Sequence, residues 1–469
     1  MTETDLVVVL PGITGSTLHQ HGKPVWEPSA GAILNALRTF GRSLKDLKLP
    51  DGIGDDRPDD GVEPIAVMPD VHVIPGIWSP IHGYTGLLNR LQKWCETGVV
   101  GKVVPFPYDW RLSNRYNGQR LAGIVEDELG QWRESDPARR EAQVVFICHS
   151  MGGMVARWYI EKCGGASVTR KLVTLGTPYR GAARAIDQLV NGVRKGIGPF
   201  AVDVTEFARS MPSSYQLLPD YACVDQGGTL HRLDQVTVSD LDTARLADAL
   251  SFHSDLAQAE KNRPASEGST HAIVGVRQPT ATTVRMTQGG VEILDTIGSN
   301  NDYGDATVPL AGAIQQGLSA ATPLVRRVVD THGHLQDNKT AMDEIELVLT
   351  GRDVVYMGAE RTPVSVYAPE LVLQDESITV AVDIEPDSKG RIPAVQIELI
   401  PEQSMGGAKT GVQTRIPKIP NGHGEITFDP PSPGAYQVRI SGKAPGTPVT
   451  PVTTTVLVWA SDLTGPTSA

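Results

Sequence analysis

A serine at residue 150 stands between a strand pattern and a helix pattern, a position from which its hydroxyl could attack an ester. The apolar run Val144–Cys148 is followed by His-Ser-Met-Gly-Gly at residues 149–153, and a helical pattern continues to about Lys162. A strand, a sharp turn with serine at its tip and a helix form the nucleophile elbow of serine hydrolases. The usual elbow has glycine where this chain has Cys148, which is small enough for the turn to close. The segment predicts a nucleophilic Ser150, although an ordinary glycine-rich helix start would share the pattern.

A serine nucleophile needs a general base and a carboxylate that orients the base. In this topology the acid follows the serine in the chain, and the histidine follows the acid. The acid candidate is Asp305 in a Gly-Asp-Ala-Thr-Val turn, with Asp302 as its competitor; a plain Asx-turn is the alternative without chemistry. The base candidates, His332 and His334, follow the strand pattern Val325–Val329. We favour His332 because it lies nearer the strand end and the glycine after it keeps the loop open.

Two backbone N–H groups are expected to bind the oxyanion of the tetrahedral intermediate. One is the N–H of Met151, directly after the serine. The other is expected in the loop after an early strand, where the glycine-bracketed turn Leu10–Ser16 offers the N–H of Ile13. This turn lacks the Lys-Ser/Thr of a phosphate-binding loop, and no zinc-ligand spacing is present. We therefore expect neither a cofactor nor a metal ion.

Alternating strand and helix patterns must position these groups. The strand candidates are Leu6–Leu10, Lys102–Pro105, Val144–Cys148, Lys171–Leu175, Ala272–Val276 and Val325–Val329, and the helix candidates are Gly86–Glu96, Gly118–Glu134, Met151–Lys162 and Thr340–Leu349. Such alternation is typical of an α/β fold with a mostly parallel sheet and helices on both faces. We assign residues 1–352 to an α/β-hydrolase catalytic domain with lid or cap insertions at about 20–75 and 188–265. The second insertion is expected to contain irregular helices without strands.

From about Pro363 onward, apolar residues recur with period two. About seven short strands separated by turn residues predict an antiparallel, immunoglobulin-like β-sandwich over residues 363–462, followed by a flexible tail at 463–469. This region carries no catalytic constellation of His, Asp or Cys. A protein partner is one ligand it could bind.

Charge and hydropathy exclude several classes of partner. The net charge of −12 argues against nucleic acid. No apolar run approaches the ~20 residues of a membrane span, and the first residues do not read as a signal peptide. The acidic surface is compatible with transient hydrophobic contact between the lid and a membrane.

The cysteines are spread without pattern, which favours free thiols in a cytoplasmic protein. They are Cys95, Cys148, Cys163 and Cys223.

Five segments in order together resemble the lecithin:cholesterol acyltransferase-like family of α/β hydrolases, which includes lysosomal phospholipase-type enzymes and phospholipid:diacylglycerol acyltransferases. They are Leu10–Ser16, Pro107–Arg111, His149–Gly153, Leu175–Pro178 and Gly304–Val308. The resemblance implies that Ser150 is the nucleophile, Asp305 the acid and Ile13 an oxyanion donor. The family's histidine is typically followed by an apolar residue at the third place, and Leu335 fits His332.

The resemblance covers residues 1 to about 350 and leaves the β-sandwich outside. No cysteine pair in the 20–75 insertion could close the disulfide-bonded lid of the family's secreted animal members. We expect a lipase- or phospholipase-type serine hydrolase that cleaves acyl lipids through an acyl-enzyme, with acyl transfer to an alcohol as a further activity. The alternatives are an esterase or thioesterase for small or protein-linked acyl groups, and a latent hydrolase controlled by a partner of the β-sandwich.

Overall fold

The computed structural model describes residues 3–27, 47–69, 82–195, 202–264, 266–297, 300–301, 303–351, 361–387, 389–404, 411–445 and 447–459. The strands before residue 330 are β1 (Leu6–Leu10), β2 (Ser16–Gln20), β3 (Lys23–Trp26), β4 (Val62–Val67), β5 (Lys102–Pro105), β6 (Val144–His149), β7 (Thr169–Leu175), β8 (Arg194–Lys195), β9 (Val202–Asp203), β10 (Val224–Gln226), β11 (Thr229–His231), β12 (Ser269–Val276), β13 (Thr283–Thr287), β14 (Gly290–Leu294), β15 (Thr296–Ile297), β16 (Asn300–Asn301) and β17 (Val325–Val329). The helices are α1 (Thr85–Glu96), α2 (Asn114–Glu134), α3 (Gly152–Lys162), α4 (Ala183–Val190), α5 (Thr205–Ser210), α6 (Pro212–Tyr215), α7 (Thr243–Asn262), α8 (Leu310–Ala313) and α9 (Lys339–Thr350). None of the helices in these ranges is long and apolar enough to cross a membrane.

Six strands form the central sheet, in the order β17-β12-β7-β6-β1-β5. Every neighbouring pair in this sheet is parallel. The strands β1 and β6 are buried along their whole length, as near-continuous apolar runs require when helices cover both faces of a sheet. This architecture confirms the predicted α/β-hydrolase fold.

Alternate residues of β1 point into two separate cores. Leu6, Val8 and Leu10 pack with the helices α2 and α3 on one face. Val7 and Val9 pack with α1 and α9 on the other face. The sheet therefore carries the nucleophile strand β6 between two helical layers, and the loops that follow its strands meet at one edge.

All six strand candidates and all four helix candidates are present, with small differences at their ends. The largest difference is at α2, which begins at Asn114 rather than Gly118. The Ser113 hydroxyl caps this helix by accepting a hydrogen bond from the Tyr116 N–H. The apolar pattern alone did not reveal this polar first turn.

The expectation of helices without strands between residues 188 and 265 was wrong. Four short strands, β8 to β11, lie in this segment beside α5, α6 and α7. They are two or three residues long, too short to show periodicity, and β10 pairs with β13 in the sheet β11-β10-β13-β14. The pairing partner lies about 60 residues downstream, so no local pattern could predict it. At the first insertion, β3 and β4 pair with β2, which directly precedes the insertion, in a three-stranded sheet.

The C-terminal strands are β18 (Val364–Tyr367), β19 (Leu371–Leu373), β20 (Ile378–Ile384), β21 (Val395–Ser404), β22 (Gln413–Arg415), β23 (His423–Phe428), β24 (Gly434–Gly442) and β25 (Val452–Trp459). They form the sheets β18-β20-β23 and β19-β25-β24-β21-β22, whose apolar faces share one core. We call residues 364–459 the C-terminal β-sandwich. The predicted antiparallel pairing holds for the other neighbouring strands, whereas the short edge strand β19 pairs parallel with β25. The predicted tail at 463–469 lies outside the described residues.

Candidate active site

Ser150 stands at the tip of a strained turn between β6 and α3. Its φ of 52° lies in the left-handed region, which is costly for a residue other than glycine. The Ser150 N–H donates to the Leu175 carbonyl at 2.8 Å, and the Thr177 hydroxyl donates to the Ser150 carbonyl at 2.8 Å. Contacts on both sides of the serine therefore hold the strain, as expected for a nucleophile elbow.

The two glycines after the elbow are required by close contacts. A side-chain carbon at Gly152 would lie 2.4 Å from the Pro11 carbonyl oxygen, and one at Gly153 would lie 2.2 Å from the Thr177 hydroxyl oxygen. Cys148 stands inside β6 rather than in the turn, so the missing glycine does not prevent the turn. Burial raises the pKa of the Cys148 thiol well above its usual value, which keeps the group neutral.

The structure brings Ser150, His332 and Asp305 into one hydrogen-bonded chain. His332 Nε2 lies 2.9 Å from Ser150 Oγ, and His332 Nδ1 lies 2.8 Å from Asp305 Oδ2. Because a carboxylate only accepts, Nδ1 carries the proton and Nε2 is left to accept from the serine hydroxyl. The exposed fractions of the three residues are 3 %, 2 % and 1 %, so the chain is shielded from bulk water.

The Asp305 carboxylate is oriented by its own turn. Oδ1 accepts hydrogen bonds from the Thr307 and Val308 N–H groups at 3.0 and 2.7 Å, which leaves Oδ2 for the histidine. The turn lies beside the end of β12, because Gln278 and Gly304 pair through their backbones there. The His332 N–H also donates to the Asp305 carbonyl at 2.6 Å, so acid and base loops are joined by backbone as well as side chain.

His334, the competing candidate for the base, does not join this chain. His334 is buried two residues further on in the same 3₁₀ turn, where its Nε2 lies 3.0 Å from Thr455 Oγ1 and its ring stacks on His82. Burial lowers the pKa of His334 to about 3, with a smaller effect of His82, so the ring is neutral at ordinary pH. Asp302 lies outside the described residues.

The turn with the predicted oxyanion donor lies against the serine. A side-chain carbon at Gly12 would lie 2.9 Å from Ser150 Cβ. Within the described ranges, the N–H groups of Ile13 and Met151 donate no hydrogen bond, as a preformed oxyanion site requires. No group of three or more His, Cys, Asp or Glu side chains in those ranges could hold a metal ion.

The segment Pro107–Arg111 packs against this turn. The Tyr108 hydroxyl donates to the Pro11 carbonyl at 2.9 Å. Arg111 is fully buried, with Nη2 2.7 Å from Asp109 Oδ2 and Nη1 2.9 Å from Asp60 Oδ2. A buried arginine with two carboxylates is a structural brace here, because its contacts are to the loops around the site rather than to the serine.

Sequence reasoning missed two residues that join the loops of the site. The Tyr84 hydroxyl accepts from the Gly12 N–H at 2.8 Å and lies 2.8 Å from His149 Nδ1. His149 Nε2 lies 3.0 Å from the His332 carbonyl oxygen. The position of His149 directly before the serine was a signal for its role; no local signal pointed to Tyr84. Burial raises the pKa of Tyr84, so its hydroxyl keeps the proton it donates.

Comparison with known proteins gives one family match. Residues 57–260 match the model of the family described as lecithin:cholesterol acyltransferase. Over these residues the chain is similar to the lecithin:cholesterol acyltransferase-like α/β hydrolases. The match supports an ester-hydrolysing or acyltransferase enzyme.

Similar solved structures add little to the family match. The propeptide form of lipase BlEst2 from Bacillus licheniformis is 11 % identical, with 97 % of this chain and 93 % of that chain covered at a TM-score of 0.36. A superoxide reductase (neelaredoxin) from Ignicoccus hospitalis is 13 % identical over 21 % of this chain and 82 % of its own, at a TM-score of 0.16. TM-scores this low carry no argument. No curated protein matches the chain.

Proposed function

We propose that this chain is a lipase- or phospholipase-type serine ester hydrolase that works through Ser150, His332 and Asp305. The observation that carries the proposal is the chain of two hydrogen bonds, 2.9 and 2.8 Å long, from the serine through the histidine to the carboxylate. The strained elbow at Ser150 supports the same assignment. The expected order of serine, acid and histidine along the chain agrees with it.

In the proposed reaction, Ser150 Oγ attacks the ester carbonyl carbon while His332 Nε2 takes the serine proton. Asp305 holds the imidazole and stabilises its charged form. The N–H groups of Ile13 and Met151 bind the oxyanion. The intermediate collapses when the ester C–O bond breaks and His332 returns the proton to the leaving alcohol. Water, deprotonated by the same histidine, then releases the acyl group as a carboxylic acid.

The family match supports an acyl lipid as the substrate. Transfer of the acyl group to an alcohol is the second candidate reaction, and the burial of Ser150 and His332 favours it, because transfer requires that water be kept from the acyl-enzyme. Small esters or protein-linked thioesters are the alternative substrates. The four free cysteines agree with a cytoplasmic location, which is also part of the proposal.

Labelling with a fluorophosphonate probe tests the nucleophile and the base directly. We expect wild-type protein to be labelled at Ser150, Ser150→Ala to be unlabelled, and His332→Ala to react roughly 10⁴-fold more slowly. His334→Ala is the matched control, since it removes a histidine from the same turn. Strong labelling of His332→Ala together with loss in His334→Ala would reverse the assignment of the base. An unlabelled, folded wild type would favour a latent hydrolase.

Product analysis separates the candidate reactions. A series of p-nitrophenyl esters with increasing acyl length should show rising kcat/KM if lipids are the substrates, and a flat series would favour a small-ester hydrolase. With a phospholipid donor and a long-chain alcohol added, formation of an ester besides free fatty acid would establish acyl transfer. Fatty acid alone would restrict the enzyme to hydrolysis.

A further inference from the structure

The loops that carry the acid and the base both contact the C-terminal β-sandwich. We propose that the C-terminal β-sandwich fixes the position of these two loops relative to each other, with Gln278 and Thr331 as positioning residues for the triad. The inference rests on the proposed function, since it assigns Asp305 and His332 their catalytic roles. It differs from the alternative of a sandwich that binds a controlling partner, because the contacts are within the chain.

The base loop is held by the strand β25. The Thr331 hydroxyl, adjacent to His332, donates to the Thr453 carbonyl at 2.6 Å. The Thr453 N–H donates at 3.0 Å to Asp330 Oδ1, which also accepts from the Thr331 N–H at 2.9 Å. Asp330 Oδ2 accepts from the Asn338 side chain at 2.7 Å. Thr331, the residue before the histidine, is therefore joined to the sandwich directly by its hydroxyl and indirectly by its N–H, through the Asp330 carboxylate.

The acid loop is held by the strand β18 through the Gln278 side chain, and the Ser365 hydroxyl of β18 also donates to the carbonyl of the neighbouring Arg277. The Gln278 amide nitrogen donates to the Val364 carbonyl at 3.0 Å, and its amide oxygen accepts from the Val366 N–H at 2.9 Å. The side chain thus completes the edge of β18 as a strand would. Through its backbone, Gln278 pairs with Gly304, directly before Asp305, by bonds of 3.0 and 3.1 Å. Gln278 therefore joins the sandwich to the catalytic acid.

These contacts lie in a buried interface. Gln278 has an exposed fraction of 0 %, and Val329, the last residue of β17, packs against the core of the sandwich. His334 reaches Thr455 of β25 from the same turn as His332. By contrast, the Arg277–Glu385 ion pair between the same two parts is about half exposed. Exposed pairs contribute little, so the buried hydrogen bonds are the contacts expected to fix the loops.

Acid and base need such a hold because their loops come from different strands. Asp305 is separated from β12 by the segment that contains β13 to β16, whereas His332 directly follows β17. The two hydrogen bonds of the triad depend on the relative position of these loops, and a displacement of about 1 Å can cost about 100-fold in rate. An attachment of both loops to one rigid body limits that displacement.

Point variants of the full-length protein test the role of each contact. Thr331→Val removes one hydroxyl without changing the shape of the side chain, and Thr331→Ser keeps the hydroxyl. Gln278→Met removes both amide contacts. Glu385→Gln is the matched control, since it removes the charge of an exposed ion pair between the same two parts and leaves the buried hydrogen bonds of Gln278 and Thr331 in place. Thermal denaturation first establishes which variants are folded at the assay temperature.

We expect Thr331→Val and Gln278→Met to lower kcat and the fluorophosphonate labelling rate about 10- to 100-fold with KM nearly unchanged. Thr331→Ser should restore most of the activity, and Glu385→Gln should behave as wild type. Folded Thr331→Val with the wild-type labelling rate would overturn the proposal. The milder threonine variants decide the question if Gln278→Met does not fold.

A second measurement separates this inference from the proposed function. The proton between His332 Nδ1 and Asp305 should give a low-field ¹H NMR resonance, assigned by its absence in His332→Ala. We expect this resonance to broaden or disappear in Thr331→Val and to persist in Glu385→Gln, even in a wild type that proved unreactive toward the probe. A sharp, unshifted resonance in Thr331→Val would contradict positioning by the sandwich.

Discussion

The hydrogen bonds of Tyr84 and His149 run in one direction through the site. The Gly12 N–H can only donate, so the Tyr84 hydroxyl accepts it and passes its own proton toward His149 Nδ1. His149 must then carry its proton on Nε2, which donates to the His332 carbonyl. All of these groups are buried. One chain therefore connects the oxyanion turn, the elbow and the base loop.

Tyr84→Phe should show what this connection contributes. The change leaves the Gly12 N–H and His149 Nδ1 without their partner, so we expect a loss of about 1–3 kcal/mol in stability. It also frees the oxyanion turn, so kcat should fall about 10-fold with KM nearly unchanged. Steady-state kinetics and chemical denaturation measure the two effects.

Tyr179→Phe is the control for this experiment. The Tyr179 hydroxyl is also buried and lies 2.9 Å from the Thr174 hydroxyl, away from the oxyanion turn. Its loss should lower stability similarly and leave kcat closer to wild type. Equal effects of the two variants on kcat would mean that the Tyr84 hydroxyl contributes only to stability.

Gly176 shows how tightly the triad is enclosed. Its φ of +59° is in the left-handed region, and a side-chain carbon there would lie 2.8 Å from Asp305 Oδ2 and 3.0 Å from His332 Nδ1. We expect Gly176→Ala to displace the acid and the base and to lower kcat strongly. Gly164→Ala is the matched control, because Gly164 has a φ of +82° and a side-chain carbon there would have no atom within 4 Å apart from its chain neighbours.

Both substitutions lower stability by about 1 kcal/mol, because alanine is strained at positive φ. Only Gly176→Ala adds the collision with the triad. Denaturation curves and kcat of the two variants separate strain from crowding. If Gly176→Ala kept wild-type kcat, the acid and the base would tolerate more movement than the geometry indicates.

The sequence was most informative where the chemistry depends on neighbours in the chain. The sharp turn at Ser150 was predictable because the apolar strand, the small residues and the helix all flank it. The choice between His332 and His334 was harder, because both lie in one three-residue turn. What separates them is the direction in which each ring points, and that depends on Asp305 and Thr455, far away in the chain. The role of Tyr84 could not be predicted for the same reason, because its partners Gly12 and His149 are far away in the chain.

At the scale of elements, long buried strands were predictable and short paired ones were not. The strand β6 is a run of six buried residues between clear boundaries. The strand β10 has three residues and exists because β13 and β11 pair with it. Its stability comes from tertiary pairing rather than from its own sequence, so propensity carried no signal.

We expect the turn His332–His334 to make the folded state less stable in acid. Burial lowers the folded-state pKa of His334 to about 3, below the ordinary value of 6.5. Folding therefore disfavours protonation of His334. The contribution of the neutral ring to the free energy of unfolding is complete above pH 6.5 and is lost as the pH falls toward 3. By pH 5 the loss from this residue is about 2 kcal/mol.

His334→Gln should remove this sensitivity while an amide still faces the Thr455 hydroxyl. The free energy of unfolding, measured by urea denaturation between pH 8 and pH 4.5, should fall less steeply for the variant than for wild type. Any fixed cost of the substitution appears at pH 8, where His334 is neutral, and is subtracted there. Parallel profiles would show that protonation of His334 does not limit stability in acid.

At the scale of the whole molecule, the sequence divided the chain at about residues 352–363, and residues 352–360 lie outside the described ranges. The separate cores of the central sheet and of the C-terminal β-sandwich agree with the two proposed domains. Composition and periodicity did not reveal that Gln278, Thr331 and His334 cross between them. These contacts join residues about 86 to 123 positions apart in the chain, beyond the reach of any local pattern.

A buried interface between two cores predicts that they unfold together. Gln278 and Asp330 would each leave backbone groups of the sandwich without partners if the parts separated, and that cost opposes independent opening. Native-state hydrogen exchange followed by mass spectrometry should therefore show peptides from residues 325–338 and 452–459 losing protection over the same range of urea. The Thr331→Val variant should shift both sets of peptides together, because the bond it removes belongs to both parts. Earlier exchange in 452–459, with 325–338 still protected, would mean that the sandwich opens on its own and that the catalytic loops keep their structure without it.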